Sequence, residues 1–330
     1  MRVGVYLDLR NPAPWRRPWA DHYARSLEWI EEAERLGADS VWLSEHHFFE
    51  DGYLPQPLTF AGAVAARTRR MRIGTAILLA PLRPALQIAE EAAVVDCLSG
   101  GRLDLGLGAG YVAREFDAYG ADLQRRYTRT DQRIREIRAL FAGGEVTPPP
   151  VQAPLPLWLG YQGPQGAARA GRLGVGLLTL NRASLEPYRG GLREGGHDPE
   201  SGRMAGLMGA VVSDDPESAR ERLLPHIAHQ LNTYREAAAG RGIRPITTEM
   251  LRDPAAPGKG FQATEVLTPG ALIDRVAAQV KDLPAHEVYF WLSIAGMPDD
   301  LVQRHLELLC GEVRPGLAHL GVGGVGVVGA

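Results

Sequence analysis

Residues 71–110 read MRIGTAILLAPLRPALQIAEEAAVVDCLSGGRLDLGLGAG. Met71 to Leu79 is an apolar run of strand length, and Pro84 to Leu98 carries a helical pattern with proline near its first turn. Leu103 to Gly110 (LDLGLGAG) reads as a strand again. Strand, helix and strand in this order give a parallel pair joined by a crossover helix.

The alternation continues in both directions. Before it lie a strand over Arg2–Leu9, a helix over Asp21–Leu36 that stops at Gly37, a strand over Ser40–Ser44 and a helix over Leu58–Thr68. After it come a helical region over Ala113–Phe141 and a proline-rich link, GGEVTPPPVQAP. Then follow a strand at Leu157–Tyr161, a helix at Gln165–Leu173, and strands at Val175–Leu180 and Met204–Ser213. A long helix over Pro216–Ala239 leads into an irregular stretch holding DPAAPGKGF, a helix over Gly270–Lys281 and a last strand over Glu287–Ile294. Eight strands alternating with helices favour an α/β fold closed as a (β/α)8 TIM-type barrel over an open doubly wound sheet. The reading is one domain over 1–330, with a short link at 143–156 and an irregular insertion at 241–267.

Composition restricts the function. A net charge of −3, from 36 basic and 39 acidic residues, implies neither nucleic acid nor an anionic membrane as partner. No segment approaches ~18 uninterrupted apolar residues and the start does not read as a signal peptide, so a cytoplasmic location is expected. The two cysteines, Cys97 and Cys310, form no CxxC pair and are expected to be buried thiols in a reducing compartment.

The second strand ends in chemistry. SVWLSEHHF closes an apolar run with Glu45, His46 and His47 at the barrel end where functional residues gather. Adjacent strand residues point to opposite faces, so the two imidazoles cannot share one task. Two structural histidines, or one catalytic and one supporting, both remain open. A metal is disfavoured, because His22, His226, His229 and His305 fall on predicted helices. GRLDLGLGAGYVAREF fails the GxGxxG pattern, since Tyr111 stands where the third glycine belongs. Its alternating glycines leave a bare strand face, either for a flat ligand or for a crowded wall. In WLGYQGPQGAARAGRLG, glycines open a helix whose first N–H groups could hold a phosphate.

SVWLSEHHF, RIGTAILLAP and LSGGRLDLGLGAGYVAREFDAYG, in that order and spacing, strongly resemble the bacterial luciferase-like flavin-dependent monooxygenases. The resemblance implies a barrel holding reduced FMN at the C-terminal strand ends, with Glu45 near the isoalloxazine and His46 at its reacting edge as catalytic residues. His47 would then be structural. It implies cofactor contacts at Ala76, Ile77, Gly108, Gly110, Tyr111, Gln162, Gly163, Gln165 and Gly166, and a cis Ala76–Ile77 bond. It also implies O2 as co-substrate, a separate NAD(P)H flavin reductase and a homodimer pairing through helices of the first half. Ala109 stands where luciferase has a phosphate-binding arginine, so the phosphate would rely on backbone near Gly163, with Arg169 or Arg172 as charge partner. The GAG form also occurs in members that use coenzyme F-420, a deazaflavin, which is the alternative cofactor; the EHH triplet favours FMN. Tyr6, Phe48, Tyr53, Tyr111 and Trp291 suggest a small, moderately apolar organic substrate. The short link leaves either a lid to come from 241–260 or a pocket more open than is usual in the family.

Overall fold

A computed structural model describes residues 1–239, 242–252 and 264–320. The strands are β1 (Arg2–Leu7), β2 (Ser40–Leu43), β3 (Arg72–Thr75), β4 (Leu78–Leu79), β5 (Leu103–Gly108) and β6 (Leu157–Leu159). They continue as β7 (Gly176–Leu178), β8 (Met204–Met208), β9 (Ala210–Val212), β10 (Glu265–Leu267) and β11 (Ala285–Trp291). The helices are α1 (Trp19–Leu36), α2 (Pro57–Arg67), α3 (Ala85–Ser99), α4 (Ala113–Ala118), α5 (Arg126–Ala142) and α6 (Gly163–Arg172). Further along lie α7 (Leu185–Glu194), α8 (Pro216–Ala239), α9 (Thr248–Arg252), α10 (Pro269–Val280), α11 (Asp299–Leu308) and α12 (Arg314–Leu317).

All barrel pairings are parallel, and the order β3-β2-β1-β11-β8-β7-β6-β5, with β3 also paired to β5, closes the sheet on itself. This is the eight-stranded barrel that the alternation of elements predicts. Its interior departs from the usual branched aliphatic filling. Trp42 and Trp158 lie inside, 0% and 1% exposed, with ring centroids 6.0 Å apart. Strand glycines make the room: a Cβ on Gly74 would come within 2.3 Å of Trp42, and one on Gly176 within 2.2 Å of Trp158.

Several predicted elements are divided. The expected strand Met71–Leu79 splits into β3 and β4 around a cis Ala76–Ile77 bond. The region Ala113–Phe141 splits into α4 and α5, because Gly120 turns with φ +63°. Met204–Ser213 gives β8 in the barrel and β9 outside it, where β9 pairs with β10. The expected irregular stretch 241–267 therefore contains α9 and β10; its residues 241 and 253–263, and with them the end of the expected lid from 253 to 260, lie outside the described residues.

Helix α7 is an addition to the sequence reading. Its sequence LEPYRGGLRE is a poor helix former by propensity, yet α6 and α7 pack so closely that a Cβ on Gly191 would lie 2.1 Å from the Ala168 carbonyl. The expectation for Cys97 is corrected: it is exposed, donating to the Pro149 carbonyl, whereas Cys310 is buried. No described helix is long and apolar enough to cross a membrane.

Candidate active site

Parallel strands put their C-terminal ends at one mouth, and there a cavity of about 320 Å³ opens. Its walls include Glu45 and His46 after β2, Ala76 and Ile77 between β3 and β4, Gly110 and Tyr111 after β5, and Gln162 after β6. Six tyrosines also line it: Tyr6, Tyr53, Tyr111, Tyr127, Tyr161 and Tyr234.

The two histidines diverge. His46 Nδ1 lies 2.9 Å from Oε1 of Glu115, a fully buried carboxylate on α4. The same oxygen accepts the His47 backbone N–H at 2.8 Å. An oxygen already accepting a backbone proton accepts the imidazole proton too, so Nδ1 carries the hydrogen and Nε2 is the basic nitrogen. Nε2 is on the cavity side, 3.5 Å from the Tyr111 hydroxyl. Rings of Phe49, Tyr53, Tyr111 and Tyr234 surround the imidazole at 4.8, 4.8, 5.3 and 6.1 Å.

His47 faces the wall. Its Nε2 lies 2.8 Å from Glu45 Oε1, which also meets Arg83 Nη1 at 2.7 Å. Glu45 Oε2 accepts the Leu79 N–H at 2.8 Å. Both oxygens of Glu45 are thus engaged, tying the end of β2 to β4 and so to the Ala76–Ile77 segment.

Behind the tyrosine wall is a second buried charge cluster. Arg10 contacts Asp8 at 3.0 Å and Asp51 at 3.3 Å, and His229 on α8 meets Asp51 at 2.8 Å. The Arg10 guanidinium lies over Tyr234 at 4.4 Å and Tyr53 at 4.7 Å, fixing both rings. Burial pushes the Asp8 carboxyl up to about 6. Among the described residues no group of His, Cys, Asp or Glu could hold a metal ion.

The remaining expected contacts divide. Gly108 does not line the cavity; a Cβ there would lie 2.5 Å from the Ile77 side chain, so this glycine, with Gly160, seats Ile77. Gly163, Gln165 and Gly166 also lie off the cavity, at the start of α6, where Gln162 as N-cap supplies no side-chain cap. Gly166 is packed on Tyr161, where a Cβ would come within 2.7 Å of the tyrosine side chain, while Gln165 is exposed. Arg169, in the last turn of α6, pairs with Asp131 at 2.6 Å, and Asp131 also accepts from the Tyr161 hydroxyl at 3.0 Å. Arg172 sits at the far end of α6, paired with Glu194 at 2.8 Å, and so cannot serve that start. Phe48 is 48% exposed and Trp291 is buried edge-on to Tyr6, so neither forms the cavity wall.

Residues 1–287 match the luciferase-like monooxygenase family. The chain belongs to that family. One relative, the oxygenase component of a flavin-dependent trigonelline monooxygenase from Acinetobacter baylyi, is 25% identical over 89% of each chain. Another is a coenzyme F-420-dependent glucose-6-phosphate dehydrogenase from Amycolatopsis mediterranei, 33% identical over 49% of this chain; the match spans 55% of that relative's length. Among solved structures, the monooxygenase RslO1 of Streptomyces bottropensis superposes with a TM-score of 0.76 at 25% identity, covering 96% of this chain and 99% of that one. The luciferase-like family thus offers both flavin and deazaflavin chemistry on this barrel.

Glu115, Arg83, Arg10, Tyr127, Tyr161 and Tyr234 escape sequence reasoning. Only Glu115 leaves a signal: it falls within LSGGRLDLGLGAGYVAREFDAYG, one of the stretches that carry the family resemblance.

Proposed function

We propose that this chain is the oxygenase of a two-component flavin monooxygenase, taking reduced FMN from a separate reductase and oxidising a small, moderately apolar organic substrate with O2. The observation behind the reading is the Glu115–His46 pair, which aims a basic imidazole nitrogen into a tyrosine-walled cavity. The cavity fits a flat tricyclic ring in chemistry: Ile77 and Ala76 give an apolar wall, and the α6 start offers backbone N–H groups for a phosphate.

Reduced FMN, when bound, supplies the electrons that activate O2. His46 Nε2 takes or returns the proton, and Glu115 holds the ring and opposes the charge that develops on it. The aromatic walls exclude water from the cavity. Gln162, Gly163 and Gln165 would hold the phosphate end. Glu45 acts through Arg83, His47 and Leu79 to fix the Ala76–Ile77 wall.

FMN is favoured over coenzyme F-420 by the neighbouring groove, which Gln162 also borders. Its single lining arginine, Arg275, is paired with Glu265 at 3.4 Å, leaving no free cation there among the described residues for a longer acidic tail. Two copies of the chain pair through helices of the first half, where Leu86, Val94 and Leu98 of α3 are 46%, 45% and 57% exposed.

Anaerobic titration with reduced FMN and with reduced coenzyme F-420, followed by O2, tests the reading. Tight binding of reduced FMN and O2 uptake are expected. Tight binding of the deazaflavin alone, without O2 uptake, rejects it.

A further inference from the structure

The aromatic residues of the barrel interior form one continuous series. Tyr6, in the cavity wall, stacks on Tyr289 with centroids 5.7 Å apart and an interplanar angle of 11°. Tyr289 stacks on Trp42 at 5.1 Å and 23°. Trp42 meets Trp158 at 6.0 Å, and the half-buried Arg203 lies over Trp158 at 5.0 Å. The series therefore runs from the cavity at the C-terminal mouth to the opposite end of the barrel.

Two independent features accompany it. Each indole N–H donates to a buried carboxylate: Trp42 to Glu287 at 2.6 Å, and Trp158 to Asp104 at 3.0 Å. Each indole also occupies space that a neighbouring strand vacates with glycine, at Gly74 and Gly176. Packing alone is met by the branched aliphatic residues that ordinarily fill such barrels. Glycine inside a strand weakens it, so the two indoles are kept at a cost in strand stability. Indoles and phenols are the side chains most readily oxidised by one electron, and hydrogen-bonded carboxylates stabilise the cation that results.

We infer that Tyr6, Tyr289, Trp42 and Trp158 form an electron-supply path that protects the cavity from stray one-electron oxidants. The inference rests on the flavin reading above, which places such oxidants at Tyr6. One electron leaves an indole, crosses Tyr289 and Tyr6, and reduces the oxidant in the cavity. The indole is oxidised by that electron's loss, and its N–H proton shifts toward Glu287 or Asp104. A dissolved thiol or ascorbate-type reductant restores the electron at the Arg203 end. His46 and the tyrosines around it are thereby spared.

The test begins with anaerobic titration of the full-length protein with reduced FMN, which is then reoxidised in place at saturating concentration. Without binding, the flavin reading fails and takes this path with it. With FMN bound, a light flash makes the flavin a one-electron oxidant inside the cavity, and transient absorption follows the radicals. An indole radical is expected in the wild type, with a lifetime at least tenfold longer than in Trp158→Phe, and no indole radical from this path in Trp42→Phe. Equal lifetime and yield in all three overturns the path while leaving the flavin reading intact. A second measurement needs no variant. After repeated illumination, peptide mass spectrometry of the wild type is expected to find oxidation at the buried Trp42 and Trp158 ahead of Trp19, which is 43% exposed. Oxidation that follows exposure, at Trp19 and the cavity tyrosines, overturns it.

Discussion

His46 and His47 follow the end of β2 and turn apart, and each meets its own buried glutamate. The difference is what lies beyond the ring. His46 has the cavity on its free nitrogen, whereas His47 spends its Nε2 on Glu45, which is itself committed to Arg83 and Leu79. His46→Ala is expected to keep the fold and most flavin affinity while lowering single-turnover rates by ~10²-fold or more, the usual scale for a positioned acid–base group. His47→Ala is expected to lower stability without that loss of rate, because each variant strips a buried carboxylate of one partner but only the His46 ring reaches the cavity. Thermal melts and single-turnover rates on both variants check this, and the opposite pattern would move the chemistry to His47.

Elements set the environment of these residues through their ends and their packing. The start of α6 has no side-chain cap, and Gln165 is exposed beside it. A carboxylate there would face the cofactor phosphate. Gln165→Glu is expected to weaken FMN binding roughly tenfold and leave riboflavin binding unchanged, since near-surface charge repulsion is worth about 1–4 kcal/mol at contact. Fluorescence titration with both ligands reads this; equal weakening of both would place the phosphate elsewhere. Gly166 is unsuited to the same experiment, because any side chain there collides with Tyr161. At the other side of the barrel, α11 is locked by His305, whose Nδ1 accepts from Val212 N at 2.9 Å and whose Nε2 donates to the Trp291 carbonyl at 3.0 Å. Burial pushes this imidazole down to about 4 from its ordinary 6.5. As pH falls below 6.5 the unfolded chain binds the proton first, so stability falls until about pH 4, by roughly 3 kcal/mol from this group. Asp8 works in the opposite sense, because its raised value makes the folded state the better proton binder between about 6 and 3.8. The stability difference between wild type and His305→Gln isolates the histidine. It should shrink between pH 7 and pH 5 in denaturant melts, and a constant difference would show that His305 does not titrate as burial dictates.

For the whole molecule, the first-half helices carry the exposed apolar surface. Leu98 of α3 lies over Gly62 of α2, and beside α2 an apolar groove of about 350 Å³ is lined by Tyr23, Leu27, Leu54 and Phe60. Exposed apolar side chains and an apolar groove on neighbouring helices are features that a partner ordinarily covers. Sedimentation at micromolar concentration is expected to give twice the mass of one chain, and Leu98→Glu to give the single-chain mass. A wild type that sediments as one chain would reject the pairing.

The barrel, and the end of it that matters, can be read from local patterns alone. Strand and helix periods involve only near neighbours in the chain, so eight alternations can be counted without knowing any contact, and the EHH triplet can be placed at a strand end. Strand alternation does not reach His46 and His47, because β2 ends at Leu43; their two directions come from Glu115 and Glu45. Contacts across strands and helices had to wait for the folded chain. Glu115 lies 69 residues from His46, and Arg10 meets Thr233, next to Tyr234, across 223 residues. Gly108 reads as a bare surface for a ligand, but the chain folds Ile77 onto it. The tryptophans of β2 and β6 need Gly74 and Gly176, and that need is visible only when β2 stands beside β3 and β6 beside β7. Distance in the sequence carries no information about which buried groups meet, and buried groups are chosen by their neighbours.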